Sequence, residues 1–250
     1  MGSDEELGMH RVAAKFVPTI LTADHKQQRV NICTELRQLT SDDETFTSRV
    51  ITGDESWVYG YNPETKQQSS QWKSPMSPRP KKTRQAKRNV KSMIITFFGI
   101  KRIVHKEFVP TGQNVNSGFY CDILWGNCVK MREDVAPNFG ENIPGCFTMT
   151  TPSHTSVLTQ QFLAKNKMSV IPHPPHSPDL APCDFFLFPI MRLKLKGRRF
   201  DTITEIQAET QKVLNTLTEK DFREAFQKWR RRWDRCLHSG GNYFEGDGGR

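Results

Sequence analysis

The 250-residue sequence lacks the cysteine spacings that mark zinc sites and disulfide frameworks. Its six cysteines include no C-x-x-C pair, so the pattern favours reduced thiols in a cytosolic or nuclear protein over disulfides. No apolar run approaches membrane length, and no signal peptide precedes the first charged residues. From these absences we expect a soluble protein inside the cell with no membrane partner.

Acidic residues are few relative to basic ones, with 27 Asp and Glu against 36 Lys and Arg and a net charge of +9. The segment from Arg79 to Lys91 contains seven positive residues and no acidic residue. Such a run is also common in solvated loops, but it would repel itself without an anion, so we expect it to contact phosphates without reading bases. The predicted DNA-binding residues are Arg79, Lys81, Lys82, Arg84, Lys87, Arg88 and Lys91.

Two carboxylates occupy settings that suit a metal ligand. Residues 173–182 carry four prolines, which forbid a regular element, and a switch to apolar residues then places Asp184 at the start of a long helical pattern. Asp54 lies much earlier, inside a β-rich run that includes Val50 and Trp57, so we expect it in or near a strand in a partly buried place. Although far apart in sequence, these two carboxylates could meet at one site.

Residues 52–57, 152–156 and 173–188 resemble the catalytic domain of mariner-type DNA transposases, of the Tc1/mariner superfamily in the DDE/D recombinase group. Weaker similarity runs from about residue 7 to residue 247. The resemblance implies an α/β fold, namely an RNase H-like mixed sheet flanked by helices, with N- and C-terminal helical extensions. We expect a degenerate copy without the pair of helix-turn-helix modules with which the family recognises transposon ends.

The same resemblance implies cut-and-paste DNA chemistry, in which three aspartates bind two divalent ions, Mg²⁺ or Mn²⁺ as a substitute. It also implies DNA as partner, mainly through the phosphate backbone, a possible homodimer, and a nuclear location. Asp54 and Asp184 match the first and third aspartates, and we predict them as catalytic and metal-binding residues. In the family thirty-four residues separate the second and third aspartates, and that spacing falls on Met149 here.

The loss of the middle aspartate leaves two readings. A thioether cannot replace a hard anionic ligand, so activity should fall by orders of magnitude or vanish. An active transposase and endonuclease domain would need another carboxylate, such as Glu55 or Asp179, as a substitute. Glu55 would point to the opposite face of a strand from Asp54. The alternative is a non-catalytic relic of a transposase that binds the DNA backbone or dimerises.

The segment 136–151 should contain the next core strand of this fold, yet it has two prolines, two glycines and little strand character. We hypothesise that it is translated in a shifted reading frame. With permitted codons, a frame shifted by two bases encodes a sequence similar to the missing strand of the family. Its Asp falls at position 149, and the sequence continues in register into Pro152. Genomic DNA that admits no such readout would refute the hypothesis and favour a substituted but folded strand.

We expect four regions along the chain. Residues 1–45 form a linker and a packing helix with Thr22 as its N-cap, and residues 46–200 form the RNase H-like catalytic domain, with a basic insertion loop at 63–91. Residues 201–238 form C-terminal helices, and 239–250 form a flexible tail.

Shorter patterns predict individual elements. Residues 93–109 read as two strands joined by a tight turn, and Asn116 caps a helix to about Glu133. Further helices are predicted at 155–165, from Asp184 to Lys196, at 202–217 and at 219–237, with a short strand at 168–171. The basic run 228–235 suits DNA contact and a packing helix equally. We expect His154, His173 and His176 near the site as hydrogen-bonding or capping residues.

Overall fold

The computed structural model describes residues 17–64, 70, 74, 76, 90–124, 145–149, 157–166 and 168–244. Within them lies a five-stranded sheet formed by β1 (Val50–Tyr59), β2 (Lys91–Phe98), β3 (Ile103–Val109), β4 (Gly145–Met149) and β5 (Met168–Ile171). The helices around it are α1 (Ala23–Asp42), α2 (117–124), α3 (Val157–Lys165), α4 (Phe188–Leu195), α5 (Ile203–Asn215) and α6 (Glu219–His238).

The sheet is mixed, with strand order β3-β2-β1-β4-β5. β1 lies at its centre, antiparallel to β2 and parallel to β4, which in turn pairs in parallel with β5. Consecutive side chains of a strand point to opposite faces, and both faces are covered by helices. The predicted α/β class and RNase H-like architecture are confirmed.

Each face of the sheet has its own apolar core. Val50 and Val58 of β1 belong to the larger core, which includes Trp229 and Trp233 of α6. Ile51 belongs to the smaller one, with residues of α2 and α3. The alternation along β1 therefore assigns Thr52 and Asp54 to the side of the sheet that carries α1, α4, α5 and α6.

Local signals in the sequence located several elements correctly. The Thr22 hydroxyl accepts a hydrogen bond from the His25 amide at 3.2 Å, and the Asn116 side chain accepts one from the Phe119 amide at 2.9 Å. Both predicted N-caps are confirmed. The predicted strand pair within 93–109 is also present, and its turn is closed by the Gly99 amide, which donates to the Arg102 carbonyl at 3.0 Å.

The segment 136–151, whose residues have little strand character, does contain a core strand. β4 follows Pro144 directly and pairs in parallel on both sides, with β1 and with β5. Two flanking strands thus supply backbone partners to a segment whose own residues favour a strand only weakly. The amino acids as they stand form the strand, and the shifted reading frame stays a prediction about the DNA.

The predicted flexible tail from residue 239 is wrong for residues 239–244. The Gly241 carbonyl accepts a hydrogen bond from the Arg29 Nε at 2.8 Å, and the Tyr243 hydroxyl donates to the His176 carbonyl at 2.7 Å. Gly240 and Gly241 adopt φ of 59° and 79°, where glycine avoids the penalty of a Cβ, and so turn the chain back toward α1 after α6. Residues 245–250 lie outside the described residues.

The cysteines that the structure describes are all free thiols, in agreement with the absence of disulfide spacings, and Cys128 lies outside that part. Among the helices in the described ranges, none is both long and apolar enough to span a bilayer.

Candidate active site

Asp54 lies in the middle of β1 with only 5% of its surface exposed. One of its carboxylate oxygens, Oδ1, accepts a hydrogen bond from the Glu55 amide at 2.8 Å. The backbone of Gly53 packs so closely against the Phe97 ring that a Cβ at position 53 would lie 2.3 Å from a ring atom. Asp54 therefore stands on the central strand of the sheet, more deeply buried than the sequence predicted.

Asp184 lies at the start of the helix that follows the proline-rich stretch. Its amide donates to the Ala181 carbonyl at 3.0 Å, and the chain forms a π-helical turn at Cys183–Leu187 before α4 begins. Burial raises the pKa of Asp184 from 3.8 to about 6; the Arg192 charge opposes this rise and the Glu55 charge adds to it. The predicted helix start is confirmed, with a wider first turn.

The charges of both carboxylates act on the thiol of Cys183. Its Sγ lies 3.9 Å from the Thr52 hydroxyl of β1. Burial raises the pKa of this thiol well above its ordinary value, and the charges of Asp54 and Asp184 raise it further. The thiol therefore stays protonated, within electrostatic reach of the two aspartates that the sequence proposed.

Sequence reasoning did not identify Arg192 and Tyr120, two residues that interact with the groups of this site. Arg192 lies eight positions after Asp184, two turns along the same helix, and its guanidinium donates to the Ser56 hydroxyl at 2.8 Å. That spacing could have indicated it. Tyr120 of α2 is fully buried, and burial together with the charges of Glu55 and Asp54 raises its pKa well above the ordinary value. Tyr120 belongs to the smaller core, on the other face of the sheet from Asp54, and only the packing of α2 puts it within reach of these charges.

Met149 is the last residue of β4 and the register partner of Gly53 in β1. The backbone at position 149 is therefore one register step from Asp54, at the end of the neighbouring parallel strand. The family spacing assigns the middle carboxylate to this position, and that assignment stays a prediction.

The two proposed substitutes for that carboxylate have different surroundings. Asp179 is occupied elsewhere, because its two carboxylate oxygens accept hydrogen bonds from Arg29 at 2.8 and 2.6 Å. Glu55 pairs in register with Ile95, whereas Asp54 pairs with Thr96, so the two side chains begin on opposite faces. Its charge nevertheless acts on Asp184, and Glu55 remains within electrostatic reach of the site.

Among the described residues, Asp54 and Asp184 are a donor set that suits one hard cation. Mg²⁺ binds through one or two carboxylates and keeps several waters, a pattern that Asp54 and Asp184 can supply. Two ions held about 3.5–4 Å apart need more anionic ligands. Within the described residues, no group of three or more His, Cys, Asp and Glu side chains is arranged to hold a metal.

Two of the predicted histidines, His173 and His176, are among the described residues. Burial lowers the pKa of His173 to about 4, so its ring is neutral at physiological pH. His176 is exposed, with φ of 54°. The centres of its ring and the His25 ring are 5.4 Å apart. His154 lies outside the described residues.

The predicted DNA-binding residues fall mainly outside the described residues, namely Arg79, Lys81, Lys82, Arg84, Lys87 and Arg88. Lys91 is the first residue of β2, and its ammonium lies 4.0 Å above the centre of the Trp57 ring. In the basic run 228–235, Arg232 is buried and stacks on Phe185 at 4.3 Å. Arg230 and Arg231 are exposed. The run therefore contains both buried packing residues and exposed basic side chains.

Comparison with known proteins agrees with this geometry. A family model described as "Transposase (partial DDE domain)" matches residues 62–136. The Mos1 mariner transposase of Drosophila mauritiana is 25% identical over 242 residues, which cover 96% of this chain and 69% of that protein. Histone-lysine N-methyltransferase SETMAR of Homo sapiens is 24% identical over 96% of this chain, which spans 35% of the human protein.

Solved structures give the same result. The Mos1 mariner paired end complex with Mn superimposes with a TM-score of 0.83 at 26% identity, over 96% of this chain and 69% of that one. Together these comparisons support a mariner-type DDE domain in this chain. The fold of this DDE domain also matches the catalytic domain of Mos1 transposase, with a TM-score of 0.75 at 24% identity, over 92% of this chain and all of that one.

Proposed function

We propose that this DDE domain is a mariner transposase-like protein that has lost most or all of its DNA strand cleavage and transfer, and that still binds DNA through the phosphate backbone. The observation that carries this proposal is the residue at the end of β4. Met149 ends β4 as the register partner of Gly53, the residue before the first aspartate, and it occupies the position that the family spacing assigns to the middle carboxylate.

The roles of the remaining residues follow from their surroundings. Asp54 and Asp184 would hold one divalent cation, Mg²⁺ or Mn²⁺. When two ions are bound, such sites activate the attacking oxygen and stabilise the leaving oxygen. Arg192 favours the ionised form of Asp184, while Cys183 stays neutral between the two carboxylates. With a thioether at 149, this arrangement keeps a cation weakly and supplies no complete second site.

The DNA partner is supported by the relatives. Solved structures of Mos1 include a paired-end complex with left transposon end and a strand transfer complex. We propose that the basic residues between Arg79 and Lys91 contact the DNA backbone, with a nuclear location and a possible homodimer. A non-catalytic relic that only binds DNA is the limiting case of the same proposal.

A plasmid-nicking assay in Mg²⁺ and in Mn²⁺ tests the proposal. It compares the unaltered chain, Met149→Asp, Met149→Asp with Asp54→Ala, and Thr150→Asp as a control that adds the same charge one residue further along. We expect the unaltered chain to be inert or slower than Met149→Asp by at least two orders of magnitude. The double variant and Thr150→Asp should both be inert.

Other outcomes would reject parts of the proposal. Equal nicking by the unaltered chain and Met149→Asp would show that no ligand is missing, and Glu55→Gln would then identify Glu55 as the substitute if it abolished the activity. Nicking by Thr150→Asp but not by Met149→Asp would place the missing ligand at position 150 instead of position 149. If every variant is inert although folded by circular dichroism, the loss extends beyond position 149.

A further inference from the structure

The loop that delivers Asp184 forms few hydrogen bonds of its own. Residues 173–182 contain four prolines, which lack an amide donor, and the described hydrogen bonds within the loop are limited to short turns such as Leu180 amide to Ser177 carbonyl at 2.9 Å. Something else must therefore fix its position. The position of this loop matters because Asp184 follows it directly.

A buried arginine of α1 binds the middle of this loop. Arg29 is fully buried, and its guanidinium donates to the Ser177 hydroxyl at 2.6 Å and to both carboxylate oxygens of Asp179 at 2.8 and 2.6 Å. The planar fork of an arginine matches a carboxylate in this bidentate geometry, which fixes orientation as well as distance.

The helix α6 and the residues after it bind the same loop. The Trp229 indole donates to the Leu180 carbonyl at 2.7 Å, and Arg232 donates to the Asp179 carbonyl at 2.9 Å. The Tyr243 hydroxyl donates to the His176 carbonyl at 2.7 Å. The Arg29 guanidinium also lies over the Tyr243 ring, with its Cζ 5.0 Å from the centre of that ring. We call Arg29, Trp229, Arg232 and Tyr243 the loop clamp.

We propose that Arg29 is a positioning residue for the metal site, and that the loop clamp, including the segment 239–244, sets where Asp184 stands relative to Asp54. Arg29 touches neither carboxylate of the proposed site; it acts through Asp179 and the turn that leads into Cys183 and Asp184. A segment near the end of the described chain thus becomes part of the support of the site. The cation-binding part of this inference rests on the proposed function.

Two mild variants and one matched control test the loop clamp. Arg29→Lys keeps the charge but loses the bidentate fork, and Tyr243→Phe removes only the hydroxyl that binds His176. Arg37→Met is the control, because Arg37 and Asp234 form an exposed ion pair between the same two helices, 3.5 Å apart, without touching the loop. All three are compared with the unaltered chain.

Hydrogen exchange tests the positioning without any metal. We expect the amides of residues 176–188 to exchange at least tenfold faster in Arg29→Lys and measurably faster in Tyr243→Phe, while those of β1 and β2 do not change. Arg37→Met should match the unaltered chain. Faster exchange throughout the fold, or faster exchange that stops before residue 183, would overturn the inference.

The Mn²⁺ affinity of each variant then tests the consequence for the site. Supporting residues behind metal ligands typically change metal affinity about 10- to 100-fold, and we expect a loss in that range for Arg29→Lys and none for Arg37→Met. An Arg29→Lys chain that binds Mn²⁺ as tightly as the unaltered chain would overturn the inference. If the unaltered chain binds no Mn²⁺, the proposed cation site fails, while the exchange measurement still decides the positioning role.

Discussion

At the scale of single residues, Asp184 is held in an environment that disfavours its charge. Burial raises its pKa from 3.8 to about 6, and the nearby Glu55 carboxylate acts in the same direction. Because the folded pKa exceeds that of the unfolded chain, the stability that Asp184 contributes is fully present below pH 3.8 and is lost as the pH rises through 6. The ionised Asp184 therefore lowers the free energy of unfolding at neutral pH.

Asp184→Asn should stabilise the protein at neutral pH. A shift of one pKa unit corresponds to about 1.4 kcal/mol, so we expect the free energy of unfolding to rise by about 2 kcal/mol at pH 7.5 and to change little at pH 4. Urea denaturation at several pH values measures this difference. Asp122→Asn, at an exposed carboxylate on α2, is the control. A gain that is the same at pH 4 and pH 7.5 would show that burial of the charge is not its cause.

His173 produces the opposite pH dependence. Burial lowers its pKa from 6.5 to about 4, so the stability it contributes is present above pH 6.5 and lost as the pH falls toward 4. Between pH 4 and pH 6 the two residues oppose each other. For this reason the difference between Asp184→Asn and the unaltered chain is more informative than the pH profile of the unaltered chain alone.

At the scale of elements, local patterns were sufficient where they were strong. Thr22 and Asn116 marked helix starts, and the apolar run 93–98 marked a central strand. β4 could be expected only from the fold, because Gly145–Met149 owes its strand to the partners on both sides. The packing of residues 239–244 was not predictable, since it depends on Arg29, which lies more than two hundred residues away in sequence.

The basic segment between Arg79 and Lys91 should determine the salt dependence of DNA binding. Each phosphate contact contributes about 0.9 to the slope of log K against log salt concentration for duplex DNA. Replacing its seven basic residues with Gln should reduce that slope by about 3 or more in fluorescence anisotropy titrations. The control replaces Lys212, Lys220 and Arg223, which already pair with glutamates on their own helices. An equal loss in the control would mean that net charge, and not this segment, binds DNA.

At the scale of the whole molecule, the fold brings together what the sequence keeps apart. β1 supplies Asp54, the turn before α4 supplies Asp184, and β4 ends at Met149 beside Gly53. The two carboxylates could be proposed from the sequence because each lies in a recognisable motif. Cys183 could not be ranked as a site residue in advance, since its role comes from packing and from the charges around it, whereas the two-turn spacing from Asp184 could have indicated Arg192.

The most direct measurement counts the Mn²⁺ ions bound per chain, by electron paramagnetic resonance, in the unaltered protein, Met149→Asp and Asp54→Ala. We expect one weakly bound ion in the unaltered chain and two in Met149→Asp, close enough for their signals to couple, with little or no binding in Asp54→Ala. Two coupled ions in the unaltered chain, or no second ion in Met149→Asp, would contradict a metal site left incomplete by the residue at position 149.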